Sequence, residues 1–428
     1  MKVLTTSDTP PENTKQVRVV LKDIWIGFDL GGTKMLAVAY DKDMKPLGRR
    51  RRKTRGRDDS GIARIESTIT RLLDENDLDP KRIAGIGIGC PGPIDLDNGK
   101  LLSTPNLGWD NVDVQKVLGK RFDCRVAVLN DVDAGIYGEY RFGAAEGSRC
   151  VVGIFPGTGI GGGCVYEGKI LQGAGISCME LGHTRVSSGV RCSGGEIPGT
   201  LETEASRLSI AAEAAKLAFR GEAPALLKDA GTDLSDIRSG SLADSVKNGD
   251  KAVKRLIEEA GVVLGYAVVN VVHMLCPDKI VFGGGLVEAM EDLILDQVRK
   301  TARQCVMPVY KDRFKIVAAK LGDDAGVMGA AAWAMMTYET AVAAENAAGS
   351  KKGETKKEDA KKEEPQKEEP QKEEPQKEDV KKEEAQKPET KQSETQETEP
   401  PKPAAVPNPS AAPASQSPKP DAPKKADS

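Results

Sequence analysis

The sequence predicts an α/β fold built twice on one plan, followed by a tail that does not fold. Three observations predict it. An apolar strand, Ile26-Gly27-Phe28-Asp29-Leu30, breaks at Gly31-Gly32-Thr33-Lys34 and resumes as Met35-Leu36-Ala37-Val38-Ala39-Tyr40. A second strand, 150–155, breaks at Pro156-Gly157-Thr158-Gly159-Ile160-Gly161-Gly162-Gly163 and resumes over 164–166. Up to about Ala344 the 428-residue chain is rich in Gly, Val, Ile, Leu and Ala, and beyond it almost nothing apolar remains. The folded part is long enough for two cores.

Residues 1–22 are polar, contain Pro10 and Pro11, and are expected to be disordered. Strands are expected at 24–30, 35–41 and about 45–54. In the turn between the first two, Gly31 and Gly32 lack a Cβ, so backbone N–H groups can close on an anion. Thr33 and Lys34 add donors, and Asp29 can hold a divalent metal through water. An ordinary Gly-Gly hairpin turn is the alternative, and the Walker spacing G-x-x-x-x-G-K-[ST] is absent. The third strand carries Arg49-Arg50-Arg51-Arg52-Lys53, then Arg55 and Arg57. No aromatics interleave, so the run reads as a charge-guarded edge strand rather than a nucleic-acid patch.

Residues 60–76 read as a helix with Ile62, Ile65, Ile69, Leu72 and Leu73 on one face, capped by Asp59 or Ser60. Strand 83–89 runs into the rigid turn Cys90-Pro91-Gly92-Pro93. Thr104-Pro105-Asn106-Leu107-Gly108-Trp109 and an amphipathic segment at 112–122 follow. Strand 126–129 delivers Asn130-Asp131, which opens a helix to about Phe142.

The second unit begins near Ser148. Its Gly157-Thr158-Gly159 turn repeats the logic of the first hairpin. Glu180-Leu181-Gly182-His183 and a glycine-rich loop at Cys192 come next. Helices are expected at 201–218, 223–230, 240–248 and 251–274, the last with Val253, Ile257, Ala260, Leu264, Ala267, Val268 and Val271 at helical spacing. Strand 279–282 stops at Gly283-Gly284-Gly285, which reads equally as a seat for phosphate or adenosine or as a plain tight strand–helix turn, before a helix from about Val287. A strand at 315–319 precedes a last helix, 324–342, whose Gly326, Gly329 and Ala330 to Ala332 allow close packing. In the tail, Lys362-Glu363-Glu364-Pro365-Gln366 recurs twice more, and disorder is expected.

Asp131, where a strand ends and a helix begins, is the best candidate general base, although helix capping alone would also explain it. Glu180, His183, Asn130 and Asp131 come from separate loops and suit a polyol. His273 lies on the apolar helix and reads as structural.

Taken in order, Asp29-Leu30-Gly31-Gly32-Thr33-Lys34, Pro91-Gly92-Pro93, Pro105-Asn106-Leu107-Gly108-Trp109, Asn130-Asp131, Gly157-Thr158-Gly159-Ile160-Gly161-Gly162-Gly163 and Glu180-Leu181-Gly182-His183 resemble the ROK family of sugar kinases and repressors. The resemblance covers about residues 24–342, and Pro-Asn-Leu-Gly-Trp is most similar to the family's bacterial glucokinases. It implies an actin-like (ribonuclease H-like) ATPase fold with two domains around a cleft. The N-terminal domain would take 23–135 plus 324–344 and the C-terminal domain 136–323, with 1–22 and 345–428 outside both. It implies ATP-dependent phosphorylation of a hexose at its primary hydroxyl, with Asp131 as base.

Asn106, Asn130, Asp131, Glu180, His183 and Glu202 would hold the sugar. Gly31, Gly32, Thr33, Lys34, Gly157, Thr158 and Gly159 would lie on the ATP phosphates. Gly283 and Gly284 would lie near adenosine, and Asp29 would serve Mg²⁺ indirectly. A homodimer or homotetramer is expected. Many members bind structural zinc through the motif histidine and three cysteines. Here only His183 and Cys192 remain, two of the four ligands a tetrahedral site needs, so no bound zinc is expected.

Lys plus Arg number 62 against 65 Asp plus Glu, a net charge of −3 that favours no polyanion partner. The eight cysteines are scattered without a C-x-x-C pair and read as free thiols of a reducing compartment. No signal peptide is legible at the start and no apolar run approaches membrane-spanning length, so a cytoplasmic protein is expected. Only about two dozen polar residues precede Ile24, too few for the helix-turn-helix of the family's repressors.

Overall fold

Two five-stranded sheets carry the chain. The structure is a computed structural model, and it describes residues 21–54, 61–104, 107–189 and 197–361. Of the expected disordered ends, 1–20 and 362–428 lie outside these segments, as do the capping residues Asp59 and Ser60, whereas 345–361 continue the last helix. The described residues fall within a single compact unit.

In chain order the first half holds β1 (Ile24–Leu30), β2 (Lys34–Tyr40), β3 (Pro46–Lys53), α1 (Gly61–Glu75), β4 (Ile83–Cys90), β5 (Ile94–Asp95), β6 (Lys100–Thr104), β7 (Trp109–Asp113), α2 (Val114–Phe122), β8 (Arg125–Asn130) and α3 (Asp131–Phe142). The second half holds β9 (Cys150–Pro156), β10 (Ile160–Tyr166), β11 (Lys169–Ile170), α4 (Leu201–Ala205), α5 (Arg207–Phe219), α6 (Pro224–Ala230), α7 (Ser239–Lys247), α8 (Lys251–Leu275), β12 (Lys279–Phe282), α9 (Gly285–Ala289), α10 (Glu291–Cys305) and β13 (Lys315–Ala318). α11 (Ala325–Lys361) closes the described chain.

The duplication expected from the two glycine-broken hairpins is present strand for strand. The first sheet runs β3-β2-β1-β4-β8 and the second β11-β10-β9-β12-β13. In each, an antiparallel hairpin (β1 with β2, β9 with β10) is continued by two parallel strands. Parallel strands buried on both faces are near-continuous apolar runs. Every residue of β4, from Ile83 to Cys90, is buried.

Four details depart from expectation. β10 starts at Ile160, so Gly161 to Gly163 lie in a strand and the turn is only Gly157-Thr158-Gly159. The helix expected over 201–218 breaks at Ser206, whose Oγ accepts the Ser209 N–H and caps α5. The helix after Gly284 starts at Gly285, two residues early, and stops at Ala289 before α10. A third sheet, β5-β6-β7, was not anticipated.

The arginines of β3 do guard an edge. Arg49 pairs with Asp324 at 2.8 Å, Arg51 with Asp323 at 2.6 Å, and Arg50 with Glu75. α8 is, by length and composition, apolar enough to cross a membrane, contrary to expectation. Its face from Val253 to Val272 is buried in the core of the second half, packed against α10.

Two helices join the halves. α3 leaves the first sheet and packs on β10, and α11 returns to cover β1 and β4. They cross at small residues. A Cβ at Gly329 would overlap the Ala134 carbonyl, so the backbones are in contact. At this crossing the wholly buried Glu139 makes three hydrogen bonds. Its Oε1 accepts the N–H groups of Lys320 (2.8 Å) and Leu321 (2.7 Å), and its Oε2 accepts that of Ala144 (2.7 Å). One carboxylate thereby ties α3 to the strap that leads into α11.

Candidate active site

β1, β4 and β8 are parallel and end at one sheet edge, which sets Asp29 beside Gly89 and Asn130 beside Cys90. α3 starts there, and Asn130 caps it: its Oδ1 accepts the Val132 N–H at 2.8 Å. The cap role therefore falls to Asn130, whose side-chain amide stays available to donate. Asp131 Oδ1 also accepts the Val132 N–H, at 2.9 Å, leaving its second oxygen for the cleft.

That cleft, about 620 Å³, is lined by Asn130, Asp131, Gly157, Thr158 and Gly159 from the two glycine-marked edges. Glu180, His183 and Glu202 complete its polar wall. Glu180 and His183 face it because the short turn Leu181–His183 lies directly on β10: a Cβ at Gly182 would overlap the Ile160 carbonyl. Glu202 Oε2 accepts the Ile160 N–H at 2.9 Å and so also braces the Gly157–Gly159 turn. Within that turn the Gly157 N–H is spent on the Gly159 carbonyl (2.8 Å), while the N–H groups of Thr158 and Gly159 meet no acceptor among the described residues. Two unspent donors beside a cleft make an anion cradle.

Other expected residues stand outside this wall. Gly31 to Thr33, ahead of the exposed Lys34 that opens β2, form a largely exposed turn at the edge where Asp29 lies. It is tied down by Thr54, whose Oγ1 donates to the Gly31 carbonyl at 2.6 Å and whose N–H donates to the Thr33 carbonyl at 2.9 Å. Gly283 and Gly284 back onto the second turn; a Cβ at Gly284 would stand 2.9 Å from the Pro156 carbonyl oxygen. His273 is structural, accepting the Met307 N–H at 3.1 Å. Asn106 and Cys192 lie outside the described residues. Sequence reasoning missed Ser103, Pro93 and Phe155 in the cleft wall. Pro93 stands in a turn already marked as rigid; Ser103 and Phe155 carried no signal beyond their neighbours.

Burial is the main cause that pushes the Asp131 carboxyl up to about 6; Glu180 adds to it and the Val132 N–H opposes it. Asp29 is pushed up to about 7, by burial first and then by Asp131 and Asp323, against the pull of Arg51. Asp29 and Asp131 are thus near enough to repel. Magnesium is usually held by one or two carboxylates, with phosphate oxygens and waters completing its shell. Among the described residues no group of three or more ligating side chains stands together. Asp29 with Asp131 nearby fits such a lightly held ion, whose charge would relieve their repulsion.

Asp133, one helical step further in, is 2% exposed, and its Oδ1 has no hydrogen-bond partner. Burial, then Asp131 and Glu180, push its carboxyl well above the ordinary range. The native state therefore keeps a proton on Asp133 that the unfolded chain releases, and stability falls as pH rises through that window. Asp133→Asn should remove this fall: its urea midpoint should match wild type near pH 4 and exceed it increasingly toward pH 8.

The chain is similar to known proteins over most of its length. The sequence profile described as ROK family matches residues 25–337. A glucokinase of Thermotoga maritima is 33% identical over 312 residues, 72% of this chain and 95% of that protein. A xylose repressor of Caldicellulosiruptor bescii is 30% identical over 251 residues, 58% of this chain and 62% of the repressor. The crystal structure of a ROK family glucokinase from Streptomyces griseus, in complex with glucose and AMPPNP, superposes with a TM-score of 0.63 at 28% identity. It covers 73% of this chain and 99% of that one.

Proposed function

The chain belongs to the ROK family, and on that premise we propose that it is an ATP-dependent hexose kinase, with glucose as the preferred sugar and glucose 6-phosphate as product. The observation that carries the reading is the cleft that joins Asp131 to the two unspent N–H donors of the Gly157–Gly159 turn. A base for a hydroxyl and a cradle for a phosphoryl group share one space there. The glucokinase relatives from Thermotoga maritima and Streptomyces griseus support the same substrate class.

In this reading the sugar's primary hydroxyl lies against the free oxygen of Asp131. Asn130 and His183 donate to, and Glu180 accepts from, its ring hydroxyls. As the hydroxyl oxygen attacks the γ-phosphorus in line, its proton passes to Asp131 and the bond to the β-phosphate oxygen breaks, releasing ADP. The Thr158 and Gly159 N–H groups face the charge that spreads over the transferred phosphoryl. Bound magnesium, held near Asp29, would neutralise part of that charge. Asp131 is ionised above about pH 6, so it can serve as a base at neutral pH.

The repressor relatives make sugar sensing without catalysis the second reading. One assay separates them: ADP release with ATP and a panel of glucose, fructose, mannose and N-acetylglucosamine. Turnover with the highest kcat/KM for glucose is expected. Sugar binding with no ADP release would favour the sensor.

A further inference from the structure

The turn that faces the cleft has a second flank, and that flank is basic. α5 begins on it. The Arg207 N–H donates to the Gly157 carbonyl at 3.0 Å and the Leu208 N–H to the Thr158 carbonyl at 3.3 Å. The Arg207 guanidinium then folds back over the turn. Its Nη2 donates to Thr158 Oγ1 at 2.9 Å, and its Nη1 to the Ile237 carbonyl at 3.3 Å. The next residue along that strand of chain is Arg238, exposed, with its Nε donating to the Ser235 carbonyl at 3.2 Å. Neither arginine meets a carboxylate among the described residues, unlike Arg49, Arg50 and Arg51 on β3. The glycine run after β12 ends at the same place. Gly284 lies against Pro156 and Gly157, and a Cβ at Gly285 would stand 3.6 Å from Ser239 Oγ at the start of α7.

We propose that Arg207 and Arg238 form the seat for the part of the phosphate chain that is not transferred, gripping the α- and β-phosphates of a nucleoside triphosphate behind the Gly157–Gly159 turn. The proposal rests on the kinase reading and adds the residues that hold the donor. Two cations set side by side without a carboxylate repel each other. Burial and the nearby Arg238 charge weaken the hold of Arg207 on its proton. A polyanion placed between them reverses that cost. A guanidinium suits the task because its planar fork gives paired, charge-assisted hydrogen bonds to phosphate oxygens. The geometry also divides the labour. Thr158 and Gly159 line the cleft, where the γ-phosphoryl must meet the sugar, while neither arginine is among its lining residues, which leaves the guanidiniums for the part of the phosphate chain that extends beyond it.

The test uses full-length protein and titrates ADP, AMPPNP and glucose separately by calorimetry, for wild type, Arg207→Gln and Arg238→Gln. Each lost charge-assisted hydrogen bond should weaken ADP binding about ten- to a hundredfold. Glucose affinity should be unchanged, and KM for ATP should rise far more than kcat falls. Arg238→Gln matters most, because that side chain makes no bond to the turn and its loss leaves the Gly157–Gly159 geometry intact. Lower salt dependence of ADP affinity in both variants is a further expected sign. If Arg207 only braces the turn, Arg207→Gln will lower the melting temperature and Arg238→Gln will bind ADP as wild type does, which overturns the proposal. Wild type that binds ADP while both variants match it overturns the proposal alone. Wild type that binds no nucleotide overturns the kinase reading, and this seat with it.

Discussion

Asp131→Asn should give a protein that still binds hexose and nucleotide but transfers about 10²–10⁴-fold more slowly, the range for a lost general base. The asparagine keeps the size of the side chain and can still accept the Val132 N–H through its oxygen. The Asn130 cap is untouched, so α3 should start where it does now. What disappears is the carboxylate oxygen that the proposed mechanism uses to take the hydroxyl proton. The pH profile separates this from a general loss of fit. In wild type, kcat/KM should climb through about pH 6 as Asp131 loses its proton, because in the proposed mechanism the ionised form is the base. The residual rate of the variant should lack that limb. Coupled assay of ADP release across pH 5 to 8, with glucose binding measured on the same preparations, reads both effects. Undiminished turnover in the variant would remove Asp131 from the role.

The parts of this site that could be read from sequence are those whose chemistry is local. Gly-Thr-Gly between two apolar runs announces a turn, and Asn-Asp at a strand end announces a helix start. Both stand where the residues said they would. Which of Asn130 and Asp131 caps the helix was not legible, because either side chain can do it and only the rotamers decide. The break at Ser206 could have been found: Ser206-Arg207-Leu208-Ser209 carries a capping residue inside a run that otherwise reads as helix. β5, β6 and β7 are two to five residues long and mostly polar, too short for a period-2 pattern to emerge. Arg207 gave no sign at all, since its meaning comes from Thr158, 49 positions earlier in the chain.

Glu139 shows the same limit with the largest expected effect on stability. Within Gly138-Glu139-Tyr140-Arg141 it reads as a solvated helix charge, yet it is wholly buried. Among the described residues no cation meets it; three backbone N–H groups from two other segments do. The Ala144 bond is buried and those from Lys320 and Leu321 are part-buried, and none of the three donors has another acceptor among the described residues. Removing the carboxylate therefore leaves one buried and two part-buried N–H groups without their acceptor and opens a cavity. Glu139→Ala should cost about 3–5 kcal/mol, from the lost acceptor of the buried Ala144 N–H, the two weaker part-buried bonds and the cavity. Against the 5–15 kcal/mol typical of a domain, that is a large share. Glu139→Gln should cost about half as much, since one oxygen can still accept while the amide group turns a donor toward donors. Urea unfolding at pH 7 measures both. The consequence should reach the active site as well. Asp131 and Glu139 sit at opposite ends of α3, and the strap at Lys320 and Leu321 leads into α11, whose Gly329 lies on Ala134. If the Glu139 bonds set how α3 crosses α11, then Glu139→Gln should lower kcat at a temperature where the protein is still fully folded. A variant with reduced stability and unchanged kcat would confine Glu139 to the fold and separate the crossing from catalysis.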